Sequence, residues 1–232
     1  MTQPTDPTRR RFMVATSAAG IGLLLASCKS FGRQPAEGDT AEADVGPVED
    51  LMREHGVLAR LLLVQEEGAR RLKQGQEVAP EVFVKSAGLV RRFIEDYHEK
   101  QEEEDVFPRM EKAGKLADLA RVLRAQHQAG RRMTDIILQN AASKQAADRE
   151  KLLDAVARFA RMYRPHRARE DTELFPAFHE TLTETEFDKL GDKFEDRERK
   201  IFGEGGFERI VGEVTELEKA LAINDLSPFT PV

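Results

Sequence analysis

The chain has 232 residues, of which 34% are charged and 40% are hydrophobic, with a formal net charge of −6 and no tryptophan. This composition is typical of one helix-rich globular domain with additional segments, and the chain is long enough to bury a core. Mild acidity, and the lack of a Lys/Arg stripe with interleaved aromatic residues, give no support for nucleic-acid binding.

Residues 1–27 are predicted to be an export signal. Arg9 and Arg10 precede Phe12, and the weakly apolar run that ends at residue 26 is too short for a transmembrane helix. The arginines resemble a twin-arginine signal, and Leu-Ala-Ser-Cys ending at Cys28 resembles a lipobox. We therefore expect a lipoprotein that is lipidated at Cys28, anchored in a membrane and facing the periplasm or the cell exterior. A generic signal peptide or anchor is the alternative.

Residues 28–46 are predicted to be a flexible tether. Gly, Pro, Ala, Asp and Glu dominate this segment after Cys28, and large apolar residues are almost absent. Such a composition cannot bury a core. Because Cys28 is the only cysteine, no disulfide is expected.

Four helical patterns then predict a bundle over residues 47–181. Their approximate ranges are 47–75, 80–114, 115–143 and 148–181, and each carries an apolar stripe that includes a histidine. Short connections make successive helices antiparallel neighbours, so the predicted fold is all-α, an up-down-up-down four-helix bundle. Residues 182–232 are predicted to add two amphipathic helices, over about 187–201 and 207–221, which we expect to cap the bundle.

One motif, His-x3-Glu-x4-Phe-Pro, occurs twice, at residues 98–108 and 166–176. Residues four apart lie on one face of an α-helix, so the His and Glu of each copy point the same way. A further histidine precedes each copy, at His55 and His127. With a rise of about 1.5 Å per residue, all four histidines are predicted to lie roughly 12 to 24 Å from the same end of the bundle.

This convergence predicts a metal site. The plain alternative is a set of hydrogen-bonded core residues, but buried carboxylates without a compensating charge are costly. Mixed imidazole and carboxylate ligands suit iron, manganese or zinc, with iron the leading candidate. The predicted metal ligands are His55, His98, Glu102, His127, His166 and Glu170.

These residues, with Phe-Pro after each pair, resemble the hemerythrin family, specifically its bacterial His-His-Glu cation-binding type, over about residues 47–181. The resemblance implies two iron ions in a non-haem di-iron centre held by the six residues, with Glu102 and Glu170 bridging. A ferritin-like site is disfavoured, because it needs Glu-x-x-His on two helices and this chain has Tyr163 three residues before His166.

The chain departs from the oxygen-carrying members of that family. They have a second histidine four residues after the position of His127, where this chain has Arg131, and an aspartate at the position of Asp171, where Glu170 competes for the role. Fewer histidines leave an open coordination position or recruit a substitute. The candidates for extra or outer contacts are Glu99, Asp171, Tyr97, Tyr163 and Arg131.

The small ligands that the resemblance implies are dioxygen, peroxide and nitric oxide, which the centre would react with or sense. An iron-binding, storage or sensing module without turnover and a purely structural metal are the alternatives, and the sequence assigns no catalytic residue. His179 is predicted to lie at the surface, as are Glu103, Glu104 and Asp105. Prolines 108, 165 and 176 are expected to kink or end their helices.

Overall fold

The computed structural model describes residues 11–12 and 43–231. Arg9 and Arg10 of the predicted twin-arginine signal, the predicted lipidation site Cys28 and the predicted tether up to residue 42 lie outside the described residues. Residues Arg11–Phe12 and Ala43–Asp44 form a two-residue antiparallel ladder. Among the residues that are described, no helix is both long enough and apolar enough to cross a membrane.

Six long helices and one short 3-10 helix at Ser227–Phe229 follow in the described chain, and the predicted all-α bundle with additional C-terminal helices is confirmed. The long helices are α1 (Pro47–Lys73), α2 (residues 80–113), α3 (Ala117–Asn140), α4 (residues 146–179), α5 (Glu184–Phe202) and α6 (Gly206–Ala220). Proline in the first turn starts α1 and α2, where a missing N–H costs nothing. A capping box between Thr183 and Glu186 starts α5.

Helices α2 and α4 contain wider, π-helical turns beside the repeated motif. These turns cover Val90–His98 and Glu102–Val106 in α2, and Glu170–Leu174 in α4. Both helices continue through their prolines instead of ending there. A proline ring collides with the carbonyl four residues earlier in a regular α-helix, and the wider turns before Pro108 and Pro176 relieve that collision. Pro165 lies in the regular α-helical part of α4, with no widened turn before it. In each copy of the motif, the widened turn begins at the glutamate.

The core of the bundle has an apolar cluster on each side of a polar layer. One cluster contains Leu51, Phe107 and Phe175, and another contains Leu58 and Tyr163. Along α2 and α4, the histidine and glutamate of the repeated motif lie between residues of these two clusters. Each pair is one helical turn from residues of the cluster on either side. The polar layer is therefore closed off from water by apolar side chains above and below.

Helices α5 and α6 lie along the side of α1 and α2, whereas the sequence led us to expect a cap on the bundle. Phe194 of α5 packs in the cluster of Phe107 and Phe175, and Val214 of α6 packs in the cluster of Leu58. Arg60 of α1 donates to Glu218 of α6 at 2.6 and 2.8 Å. The apolar stripes of α5 and α6 are long. They can be buried along the length of two neighbouring helices, whereas the end of a four-helix bundle is too narrow to cover them.

Candidate metal centre

The six predicted ligand residues meet in the polar layer. Helix α1 supplies His55, α3 supplies His127, and α2 and α4 each supply the His and Glu of one motif copy. None of the six is more than 3% exposed. The i, i+4 spacing places each His/Glu pair on one face, as the sequence predicts.

Each of the two glutamates joins two imidazoles from different helices. Glu102 places one carboxylate oxygen 3.5 Å from His98 Nε2 and the other 3.3 Å from His127 Nε2. Glu170 Oε2 lies 3.3 Å from Nε2 of His55 and 3.1 Å from Nε2 of His166. The imidazoles form two pairs, and the ring centroids are 4.7 Å apart in the His55/His98 pair and 5.1 Å apart in the His127/His166 pair. Both carboxylates therefore connect one imidazole pair with the other.

An acceptor outside the centre binds the Nδ1 atom of every imidazole. The four contacts are His55 with Asp171 (2.7 Å), His98 with Glu54 (2.7 Å), His127 with Glu103 (3.2 Å) and His166 with Gln126 (2.8 Å). Because the partners are carboxylate or amide oxygens, Nδ1 donates its proton outward and the Nε2 lone pair faces the centre. This arrangement is typical of histidines that bind a metal ion.

When the four imidazoles are neutral, as metal binding requires, the atoms that face the centre are all acceptors. Both oxygens of Glu102, both oxygens of Glu170 and Nε2 of His127 have no hydrogen-bond partner among the described residues. Buried acceptors 3.1 to 3.5 Å apart repel each other unless they share a positive charge. Ligands about 2.1 Å from one ion and at right angles to each other are about 3 Å apart, so the observed spacing fits a coordinated metal ion.

The ionisation of the protein groups agrees with a need for a cation. Burial raises the pKa of Glu102 well above its usual range, and the carboxylates of Glu170 and Glu99 raise it further. Burial also raises the pKa of Glu170, but its contacts with His166 and His55 outweigh this effect and lower it. The protein groups therefore favour the ionised form of Glu170 and disfavour that of Glu102, whereas a metal ion between them would favour the ionised form of both.

Glu99, Arg131 and Tyr163 form a network beside the centre. The Tyr163 hydroxyl donates to Glu99 Oε1 at 2.5 Å, and its ring centroid is 5.1 Å from that of His166. Arg131 Nη2 lies 2.7 Å from Glu99 Oε2, and Nη1 lies 2.8 Å from Glu103 Oε1. The guanidinium is thus turned inward and already engaged by carboxylates, so an added anion would have to compete with them.

The remaining predicted residues lie in different places. Asp171 binds the outer side of His55, while Glu170 faces the centre. Tyr97 lies away from the centre: its ring packs against Phe202, with centroids 5.2 Å apart. His179 is exposed at the end of α4, where its ring stacks on Phe187.

Three outer partners, Glu54, Glu103 and Gln126, were not predicted from the sequence. We expected Glu103 to be exposed, but only 10% of its side chain is, because it accepts from His127 and Arg131. The spacing of Glu95, Glu99 and Glu103 at four residues is a signal that could have indicated a buried stripe. Glu54 and Gln126 each directly precede a ligand histidine in sequence, a position without any diagnostic pattern.

Comparisons with known proteins are in agreement with this centre. The family model described as the hemerythrin HHE cation-binding domain matches residues 46–178. The chain is 44% identical over 239 residues to the uncharacterized protein Rv1995 of Mycobacterium tuberculosis and to the uncharacterized protein Mb2018 of Mycobacterium bovis. Each match covers 99% of this chain and 93% of the relative. No solved structure matches the chain.

Gly130 of α3 makes room for Tyr163, which leads to a prediction about the network. A Cβ atom at Gly130 would lie 2.1 Å from the Tyr163 hydroxyl oxygen, and Tyr163 is buried and cannot retreat. We expect Gly130→Ala to lower the free energy of unfolding by about 1 to 3 kcal/mol, the usual cost of overpacking. Urea denaturation of the purified protein measures this.

The control is Gly212→Ala in α6, where an added Cβ would meet nothing within 4 Å. There alanine should stabilise the exposed helix by about 0.5 to 1 kcal/mol relative to glycine. Equal stability of the two variants would contradict the close packing of Tyr163 on Gly130.

Proposed function

The chain belongs to the hemerythrin HHE cation-binding family, and from this premise we propose that it is a non-haem di-iron protein that reacts with or senses dioxygen, peroxide or nitric oxide. The observation that carries the proposal is the sharing of Glu102 and Glu170 between two imidazole pairs. Two carboxylates that each face both pairs support two ions better than one.

The residues assigned to the two ions follow from the contacts. His55 and His98 would hold one ion, His127 and His166 the other, and the two glutamates would serve both. Bound iron would supply one-electron redox chemistry and a coordination position for a small ligand. Mixed nitrogen and oxygen donors are suited to iron.

The phenylalanines of the repeated motif shield the imidazoles from water. The Phe175 ring stacks on His55 with centroids 5.5 Å apart, and the Phe107 ring lies 5.3 Å from that of His127. Both phenylalanines are fully buried. An apolar wall on this side strengthens the electrostatic interactions within the centre and limits the entry of polar molecules.

We expect the purified protein to contain about two iron atoms per chain, and His98→Ala to lower that number strongly because an imidazole ligand is lost. Iron analysis after aerobic purification measures the number. His179→Ala, at the exposed end of α4, is the matched control and should leave the iron content unchanged. One zinc ion per wild-type chain, or equal losses in both variants, would contradict the site.

Stable oxygen carriage is not the expected activity. Arg131 stands where the carriers have another histidine, and its guanidinium binds Glu99 and Glu103, so it adds no nitrogen ligand. We expect the reduced protein to oxidise rapidly in air, with no spectrum that reverses under vacuum. Absorption spectra recorded after admitting air to the anaerobically reduced protein test this, and a reversible spectrum would restore the carrier function.

The alternatives give different results with the same sample. Spectra recorded before and after addition of peroxide or nitric oxide should change if the centre is reactive. Iron that is bound without any spectral response would favour storage or a structural role. A structural metal would also be expected to make thermal stability depend on the metal more than on its oxidation state.

The proposal includes export of the folded protein and anchoring by lipid at Cys28. A twin-arginine route suits a chain that must fold around its metal before it crosses the membrane. We expect Arg9→Lys combined with Arg10→Lys to retain the precursor inside the cell, and Cys28→Ser to release the mature protein from membranes or to block processing. Cell fractionation with immunoblotting measures both. Normal export of the double variant would indicate the general secretory route instead.

A further inference from the structure

An acidic stripe on α2 faces α3 beside the ligand pair of His98 and Glu102. Glu95, Glu99 and Glu103 are four residues apart, so they share one helix face. Ligand atoms of Glu99, Glu103 and His127 lie within 4.8 Å of one another, a spacing that could hold a cation. This acid pocket consists of the Glu99 and Glu103 carboxylates beside the protonated Nδ1 of His127, and the two carboxylates compete with the adjacent centre for metal.

The guanidinium of Arg131 lies in the acid pocket. Besides its contacts of 2.7 Å with Glu99 and 2.8 Å with Glu103, it donates to the main-chain carbonyl of Glu95 at 3.2 Å. Arg131 follows His127 by four residues, so one turn of α3 delivers its side chain to the same place. Only 16% of the Arg131 side chain and 1% of the Glu99 side chain are exposed.

We propose that Arg131 acts as a built-in cation that excludes metal ions from the acid pocket and thereby confines metal binding to the four histidines, Glu102 and Glu170. The inference rests on the proposed function of that centre. A guanidinium stays protonated at any ordinary pH, is only weakly hydrated and matches carboxylate geometry. Because it is attached to the chain, a free divalent ion must displace it before binding to Glu99 or Glu103.

The same contacts keep Glu99 out of the metal centre. Glu99 Oε1 accepts a hydrogen bond from Tyr163, and Oε2 forms an ion pair with Arg131 at 2.7 Å without hydrogen-bond geometry. Oε2 stays 3.9 Å from Nδ1 of His127. Glu99 is thus a partner of Arg131 and not a substitute for the histidine that this chain lacks. Arg131 is a positioning residue, since it acts through the carboxylates and not on the metal itself.

The test is the number of Mn²⁺ ions bound per chain. Mn²⁺ is the probe because it accepts carboxylate ligands readily. Metal-stripped full-length protein is dialysed against Mn²⁺, bound metal is counted, and free and bound Mn²⁺ are distinguished by electron paramagnetic resonance. We expect Arg131→Met to bind one ion more than the wild type, and Arg131→Lys, which keeps a cation, to bind the wild-type number. Adding Glu99→Gln and Glu103→Gln to Arg131→Met should remove the extra ion.

An Arg131→Met variant that binds the wild-type number would overturn the inference. Folding of this variant only in the presence of Mn²⁺, with the extra ion bound, would support it, since the ion then replaces the guanidinium. If the variant does not fold at all, Glu99→Gln in the otherwise unchanged chain decides: the metal number should stay the same, and the loss of one ion would make Glu99 a ligand and refute the inference. A wild-type chain without bound metal would instead refute the proposed function.

Discussion

Repulsion between buried carboxylates is the constraint on which the rest of this structure depends. Glu102 and Glu170 each lie between two imidazoles in a layer whose six residues are at most 3% exposed. Four further carboxylates contact the same imidazoles from outside. Such a concentration of negative charge is stable in an apolar core only when cations compensate it. Arg131 provides one such positive charge. The negative charge that it does not compensate indicates a metal centre.

The repeated motif couples this electrostatic requirement to the backbone. The glutamate of each motif begins a widened turn, which makes room for the proline that follows. The phenylalanine of the same motif packs on a histidine of another helix. A single stretch of eleven residues thus places two candidate metal ligands and an apolar shield. Its duplication in α2 and α4, which approach the layer from the same relative direction, gives the centre its approximate internal symmetry.

The C-terminal helices reach the residues that surround the centre. Helix α5 brings Glu198 close to Asp50 and Glu54, and Glu54 in turn accepts the Nδ1 proton of His98. The main chain of α6 is tied to the same residue, because Phe207 N donates to Glu198 at 2.9 Å. Residues 184–220 therefore contact side chains that surround the candidate metal centre, although they supply none of its six predicted ligands.

The sequence by itself determined the helices and the identity of the six inward-facing residues, because a spacing of four fixes the face of a helix and an apolar stripe fixes which face is buried. It did not determine which side chains contact the outer nitrogen, Nδ1, of each imidazole. Glu54, Glu103 and Gln126 reach histidines on neighbouring helices, and the direction of Arg131 depends on carboxylates of α2. Contacts between helices depend on their rotation and separation, and only the packed bundle sets these.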